Sequence, residues 1–333
     1  MIFIKEHIEK HPKVNWQDIV KLCYQASFGA EHMISDINSA ENYFKTEYSS
    51  IEYGSGPLFE VISEDVCRVD MGAWKGEGLP GEWLFNLFLL SCNVCEKGKE
   101  AFVTYIEQAK MELPHMVADI DEYLSGGIRP VHHSSVYREN YQPHYRIIKT
   151  DLLRIIPILM EIRFRNARII AIDGGAASGK TTMAKELCFV LKAGDVHMDD
   201  FFLPPQLRTP ERLREAGGNV HYERFAEEVL SALKKKGIFS YKVFDCSAME
   251  LNGAHTVDGS SYCVVEGSYS HHPFFGGYAD LKVFSKVDKT TQMKRILERN
   301  GEEMAEIFRG RWIPMEEKYF LEYSVEDNAH IVV

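Results

Sequence analysis

Residues 174–182 read GGAASGKTT, and no other stretch of the 333-residue chain constrains its fold so strongly. Gly174, four further residues, then Gly179, Lys180 and Thr181 satisfy the spacing G-x-x-x-x-G-K-[ST], in which a glycine-rich turn wraps backbone N–H groups around an anion. The apolar run RIIAID leads into the turn as a strand candidate. KTTMAKELCFVLK leaves it with Met183, Leu187 and Leu191 at helical spacing. A helix that begins there points its free N–H groups and its dipole at whatever the turn holds. Together these features predict a phosphate cradle made of Gly174, Gly175, Ala176, Ala177, Ser178, Gly179, Lys180, Thr181 and Thr182. Lys180 is placed to reach the β- and γ-phosphates of ATP, and the Thr181 hydroxyl to ligate Mg²⁺.

From Arg168 onward strand and helix patterns alternate. Strand candidates lie at 169–173, 196–198, 241–244, 262–265, 281–287 and 330–333, and helical segments at 180–191, 224–236, 290–299 and 302–323, the last broken at Pro314. This order predicts an α/β unit over 163–333: a doubly wound parallel sheet of the P-loop NTPase class, with its ligand at the carboxyl ends of the strands. Residues 1–162 read as a mainly α-helical domain, with apolar residues at three- and four-residue spacing and no internal repeat.

Hydrophobic residues make up 45% of the chain and charged residues 26%, as in an ordinary globular protein with a sizeable core. The net charge of −11 argues against nucleic acid or an anionic membrane as partner. The start, MIFIKEHIEKHPK, has no signal-peptide pattern, and WLFNLFLLSCNVC is too short to span a bilayer. Seven cysteines scattered over both halves suit a reducing compartment, and a cytoplasmic location is expected. Cys92 and Cys95 form a lone C-x-x-C read as core packing. The chain is compatible with a homo-oligomer.

Phosphoryl transfer needs a cradle, a metal, a base for the acceptor and positive charge. Asp199 and Asp200 end the second strand candidate in VHMDDFFLPP, and one of them is the candidate base; the bland alternative is a capped turn. Glu266 ends the strand in YCVVEGSYS and is placed for the magnesium shell. Lys294, Arg295, Arg299, Arg309 and Arg311 suggest a lid bringing charge to the triphosphate, with Arg295 acting in catalysis and Arg299 on the nucleotide.

The motifs GGAASGKTT, MDDFF, GGNVHYERF, YKVFDC and VVEGSYS, followed by an arginine-bearing helix, resemble the uridine kinase and phosphoribulokinase branch of the P-loop kinases over roughly half the chain. The resemblance implies ATP and Mg²⁺ as cofactors and a small-molecule hydroxyl as acceptor. It puts Asp199 where the family keeps its acceptor-activating aspartate, Glu266 on the metal-associated acid, and the segment from ILERN to FRGRW on a mobile lid. Asp200, His221 and Asp245 then fall on the acceptor side. Two departures concern the substrate. His221 stands where nucleoside kinases hold the ribose with an aspartate. Cys246, Ser247, Ala248 and Met249 follow VFDC, where a histidine reads the pyrimidine. Uridine as acceptor does not follow.

The first half matches no family by its motifs. Its polar clusters are Glu31, His32 and Asp36; Glu64, Asp65, Arg68 and Asp70; and His132, His133, His144 and Arg146. They are candidates for a small-molecule or metal site, against the plainer reading of capping and packing. The sequence thus favours a metabolite kinase. The rival is a nucleotide-sensing regulator in which ATP binding repositions the first domain; a nucleic-acid-processing ATPase lacks the basic groove it needs.

Overall fold

The computed structural model describes residues 2–30, 34, 36–92 and 98–333. The chain divides into two compact units, Met1–Ile156 and Pro157–Val333. The sequence reading set the division after Ile162, within the helix Ile156–Arg165. Among the described residues no helix is long and apolar enough to cross a membrane.

The first unit is mainly helical, as its spacing predicts. Helix Trp16–Phe28 shows why: Asn15 and Asp18 form a reciprocal capping box at its start, and Ile19, Leu22, Cys23 and Ala26 bury one stripe. The unit also holds an antiparallel sheet in the order β1-β2-β3, made of β1 (Phe59–Val61), β2 (Val66–Asp70) and β3 (Tyr145–Lys149). These strands are only three to five residues long. β2 and β3 bury arginines on otherwise apolar runs, so no clean alternation marks them. Two short helices, Met71–Gly76 and Ser135–Tyr141, lie in stretches dense in Gly, Pro and His and are capped by Asp70 and Ser134.

The second unit is built on a parallel sheet of β4 (Ile169–Gly174), β5 (Gly194–His197), β8 (Cys263–Glu266), β9 (Leu281–Ser285) and β10 (Ile331–Val332), in the order β10-β9-β4-β8-β5. The expected strand at 241–244 is not in this sheet. It belongs to a separate antiparallel hairpin of β6 (Ile238–Asp245) and β7 (Glu250–Asp258), and β7 was not foreseen. Its run ELNGAHTVD is mostly exposed and carries a glycine, which conceals the strand pattern. In the helical segment 302–323 the regular α-helix ends at Ile307, a π-helical stretch Phe308–Trp312 follows, and Pro314 sits in the first turn of the next helix, Ile313–Glu322. A further kink lies just before this segment, at Gly301, with φ 77° and ψ 175° inside Lys289–Ile307.

Candidate functional site

Every residue of β4 is buried, which fixes the point from which the glycine loop leaves the sheet. Gly174 has φ 145°, and a Cβ there would stand 2.2 Å from the carbonyl oxygen of Ser285 on β9, so only glycine fits. Gly179 caps helix Lys180–Leu191 in a left-handed conformation with φ 104°. Met183, Ala184, Leu187, Val190 and Leu191 bury the inner stripe of that helix, holding its amino end at the loop. Lys180 is buried and folds back to donate to the Gly175 carbonyl at 2.8 Å.

Strand register sets the next row of side chains. Ile172 of β4, Glu266 of β8 and His197 of β5 are partners across the sheet. The Glu266 carboxylate therefore meets two neighbours: Thr181 Oγ1 donates to its Oε2 at 3.2 Å, and His197 Nδ1 lies 2.9 Å from its Oε1. The other ring nitrogen of His197 is 2.7 Å from Asp195 Oδ2. The hydrogen bonds to Asp195 and Glu266 push His197 up to about 10, so it stays cationic between two carboxylates.

Past β5 the chain turns through Met198–Phe201, which separates the two candidate aspartates. Asp200 is tethered: Tyr241 Oη donates to its Oδ2 at 2.9 Å, and its carbonyl accepts from Arg224. Asp199 makes no side-chain hydrogen bond among the described residues and is open to solvent, although protein crowds it on its other sides. That crowding and the negative charge of Glu266 push its carboxyl up, with Lys180 pulling the other way.

Two carboxy-terminal helices grip the outside of the loop. From Lys289–Ile307, Gln292 Nε2 donates to the Ala176 carbonyl at 2.9 Å and Arg295 Nη1 to the Ala177 carbonyl at 3.1 Å. From Ile313–Glu322, Glu316 accepts the Ala176 N–H at 2.8 Å and the Ser268 hydroxyl at 2.7 Å. Burial pushes the Glu316 carboxyl up, and Lys180 opposes the shift. Below them the fully buried Asp173 accepts from the backbone N–H groups of Gly174, Tyr269 and His271 and from Tyr319 Oη at 2.8 Å. Sequence reasoning missed Asp173, Gln292 and Glu316. The one available signal was the three-residue spacing that puts Gln292 on the same helix face as Arg295.

The remaining candidates lie elsewhere. Among the described residues Arg295 is the only one of the five proposed lid cations that contacts the loop. Arg299 bonds Asn300, Lys294 and Arg309 pair with Glu298 and Glu306, and Arg311 lies over the Trp312 ring. Asp245 closes the β6–β7 turn by accepting from Ser247 and Ala248, and the Ser247 bond leads in holding its carboxyl down to about 2. His221 caps helix Tyr222–Phe225, with its backbone N–H on the Phe201 carbonyl at 2.7 Å and no side-chain cap bond. Thr182 is exposed on the helix after the loop.

In the first unit, β2 and helix Trp16–Phe28 bring part of the polar clusters together. Arg68 is buried and donates to Gln25 Oε1 at 3.0 and 2.7 Å, and Tyr145 links Gln25 to His133, whose other nitrogen meets Asp18. Arg146 and His144 both hold Glu47. Asp36 and Asp70 cap helices. Glu64 and Asp65 offer their carbonyls to Thr150. Glu31, His32 and Cys95 lie outside the described residues.

No family model and no curated protein matches this sequence. Solved structures do. One described as a possible uridine kinase from Bacillus stearothermophilus is 18% identical, with 53% of this chain and 99% of that one covered and a TM-score of 0.39. A provisionally assigned fructose transport system kinase from Silicibacter sp. TM1040 is 20% identical, with 53% and 97% covered and a TM-score of 0.43. What the site does rests on its own side chains.

Proposed function

We propose that the second unit is an ATP- and Mg²⁺-dependent kinase that transfers the γ-phosphoryl group to a hydroxyl of a small, sugar-like metabolite. The residues present fit a nucleotide and its metal. Ser178 Oγ is buried with no protein partner, and the space beside Gly179 is open where a side chain would otherwise stand. Thr181 and Glu266 offer the hard oxygen donors that Mg²⁺ takes. Bound Mg-ATP would supply the transferable phosphoryl group and neutralise its charge.

In this reading Lys180 and the loop N–H groups bind and orient the phosphates, and Arg295 adds positive charge at the loop's edge. His197 and Thr181 hold Glu266 in one orientation. Asp199 takes the proton from the acceptor hydroxyl. The observation that carries the reading is the contrast between the two aspartates. Asp200 is tied to Tyr241, while Asp199 is free, electrostatically coupled to Lys180 and Glu266, and has its carboxyl raised toward the basicity a general base needs. A sensor that only binds nucleotide has no use for such a group. The test is a panel of hydroxylated metabolites assayed for ADP release with mass detection of the product. A phosphorylated product stoichiometric with ADP supports the kinase; nucleotide binding without any product from a broad panel favours a sensor.

A further inference from the structure

The first unit contains a concavity of about 610 Å³ that plays no part in the phosphoryl-transfer reading. Its volume is that of a metabolite site. Its wall combines apolar surface from Ala40, Pro143 and the ring of Tyr43, which is 69% exposed, with the polar edge of Tyr145. The charges around it are unevenly satisfied. Glu47 is already taken by Arg146 at 2.7 Å and by His144 at 3.0 Å, and Asp36 caps its own helix. Arg138 is exposed at the rim. Lys21 is different. It lines the cavity; among the described residues no carboxylate pairs with it, and its one acceptor is the Val131 carbonyl at 3.2 Å.

Behind the wall stands a second cation. Arg68 is buried and held against Gln25, itself a lining residue, with Glu60 3.5 Å away on one side. An ammonium has three donors, and the described residues take one of them, which leaves two N–H groups of Lys21 for a ligand. Burial and the charge of Arg68 push Lys21 down to about 8, with Asp18 only partly opposing them. The amine sits in a positive environment that an anion would relieve.

We propose that this concavity is a second ligand site, which takes a small organic oxyanion, a carboxylate or a phosphate, with its charged group on Lys21 and its apolar body against Pro143 and Tyr43. The site is independent of the kinase reading.

The test is calorimetry on the full chain with glucose 6-phosphate and inorganic phosphate in one arm and citrate and glutamate in the other; the arm that binds identifies the oxyanion. Lys21→Met is expected to weaken binding at least about tenfold, Lys21→Arg to recover part of it, and Tyr43→Ala, an exposed change at the mouth, to weaken it while leaving the melting temperature unchanged. Lys180→Ala, in the other unit, leaves the same binding intact. If Lys21→Met unfolds the protein, NMR of ¹³C-dimethylated lysines on the unmutated chain replaces it, and the Lys21 signal should titrate at higher pH when the anion is bound. The proposal is overturned if no anion of either arm binds, if binding survives Lys21→Met, if it disappears in Lys180→Ala, or if the Lys21 signal does not respond.

Discussion

Thr181 Oγ1 stands 3.2 Å from Glu266 Oε2, so the hydroxyl after the loop lysine and the acid at the end of β8 share one locus. Both were candidates for the metal, and their convergence makes the assignment testable. Thr181→Ala and Glu266→Gln are each expected to lower turnover about 100-fold, the scale of losing one electrostatic contact to a reacting group. Both should raise the Mg²⁺ concentration needed for half-maximal rate. Steady-state rates across a magnesium titration check this, and an unchanged magnesium requirement in both variants refutes the metal role.

The two neighbouring aspartates should behave differently. Asp199→Asn removes the untethered carboxylate of the pair and should lower kcat by roughly 10²–10⁴-fold while nucleotide binding persists. In Asp200→Asn the amide oxygen still accepts from Tyr241, so the loss should be much smaller. Single-turnover rates with a nucleotide-binding control separate the two, and a reversed order moves the base to Asp200.

Glu316 holds the loop from outside. Glu316→Ala leaves the Ala176 N–H and the Ser268 hydroxyl without this partner and should cost about 1–3 kcal/mol of stability. Glu316→Gln keeps an acceptor for the N–H and should cost less. Denaturant unfolding measures both, and equal stability of Glu316→Ala and the parent chain would show that the grip is incidental.

Acid should weaken the first unit before it reaches the ordinary carboxylate range. Burial is the leading cause that pushes His7 and His133 down to about 4 from the usual 6.5. Both rings are neutral in the folded protein near neutrality and gain protons on unfolding, so stability is full above pH 6.5 and falls as pH drops toward 4. Glu60 adds a further loss below about 4.5. Burial opposes the hydrogen bond from His7 and the charge of Arg68, but these two prevail and hold its carboxyl at about 2. Trp16, Trp74 and Trp83 lie in this unit and only Trp312 in the other, so tryptophan fluorescence reports mainly on the first. His133→Asn should flatten the pH dependence between 6.5 and 4, and an unaltered slope refutes the assignment.

The sequence made the loop and its flanks legible because their geometry is local: strand, turn and helix are contiguous, and Lys180 and Thr181 need no distant partner to be recognised. Glu266 ends β8 and Asp199 follows the end of β5 by two residues, so the strand pattern alone put both at one edge of the parallel sheet. What stayed hidden depends on the tertiary fold. Arg295 and Arg299 look alike in sequence, yet one helical turn separates a residue that meets the loop from one that bonds Asn300. Asp245 sits at a motif-like position, but its carboxylate closes a turn whose second strand was too exposed to be seen. Asp173 is an ordinary strand-end acid until Tyr319, 146 residues later, reaches it.

The hydrogen bond from Ala176 to Glu316 joins residues 140 positions apart. Because the amide lies in the loop and its acceptor on a late helix, its exchange with deuterium requires that helix to part from the loop, locally or in global unfolding. The protection factor of this single N–H therefore reads the free energy of separating them. Following it as nucleotide is added tells whether binding tightens or releases the far end of the chain.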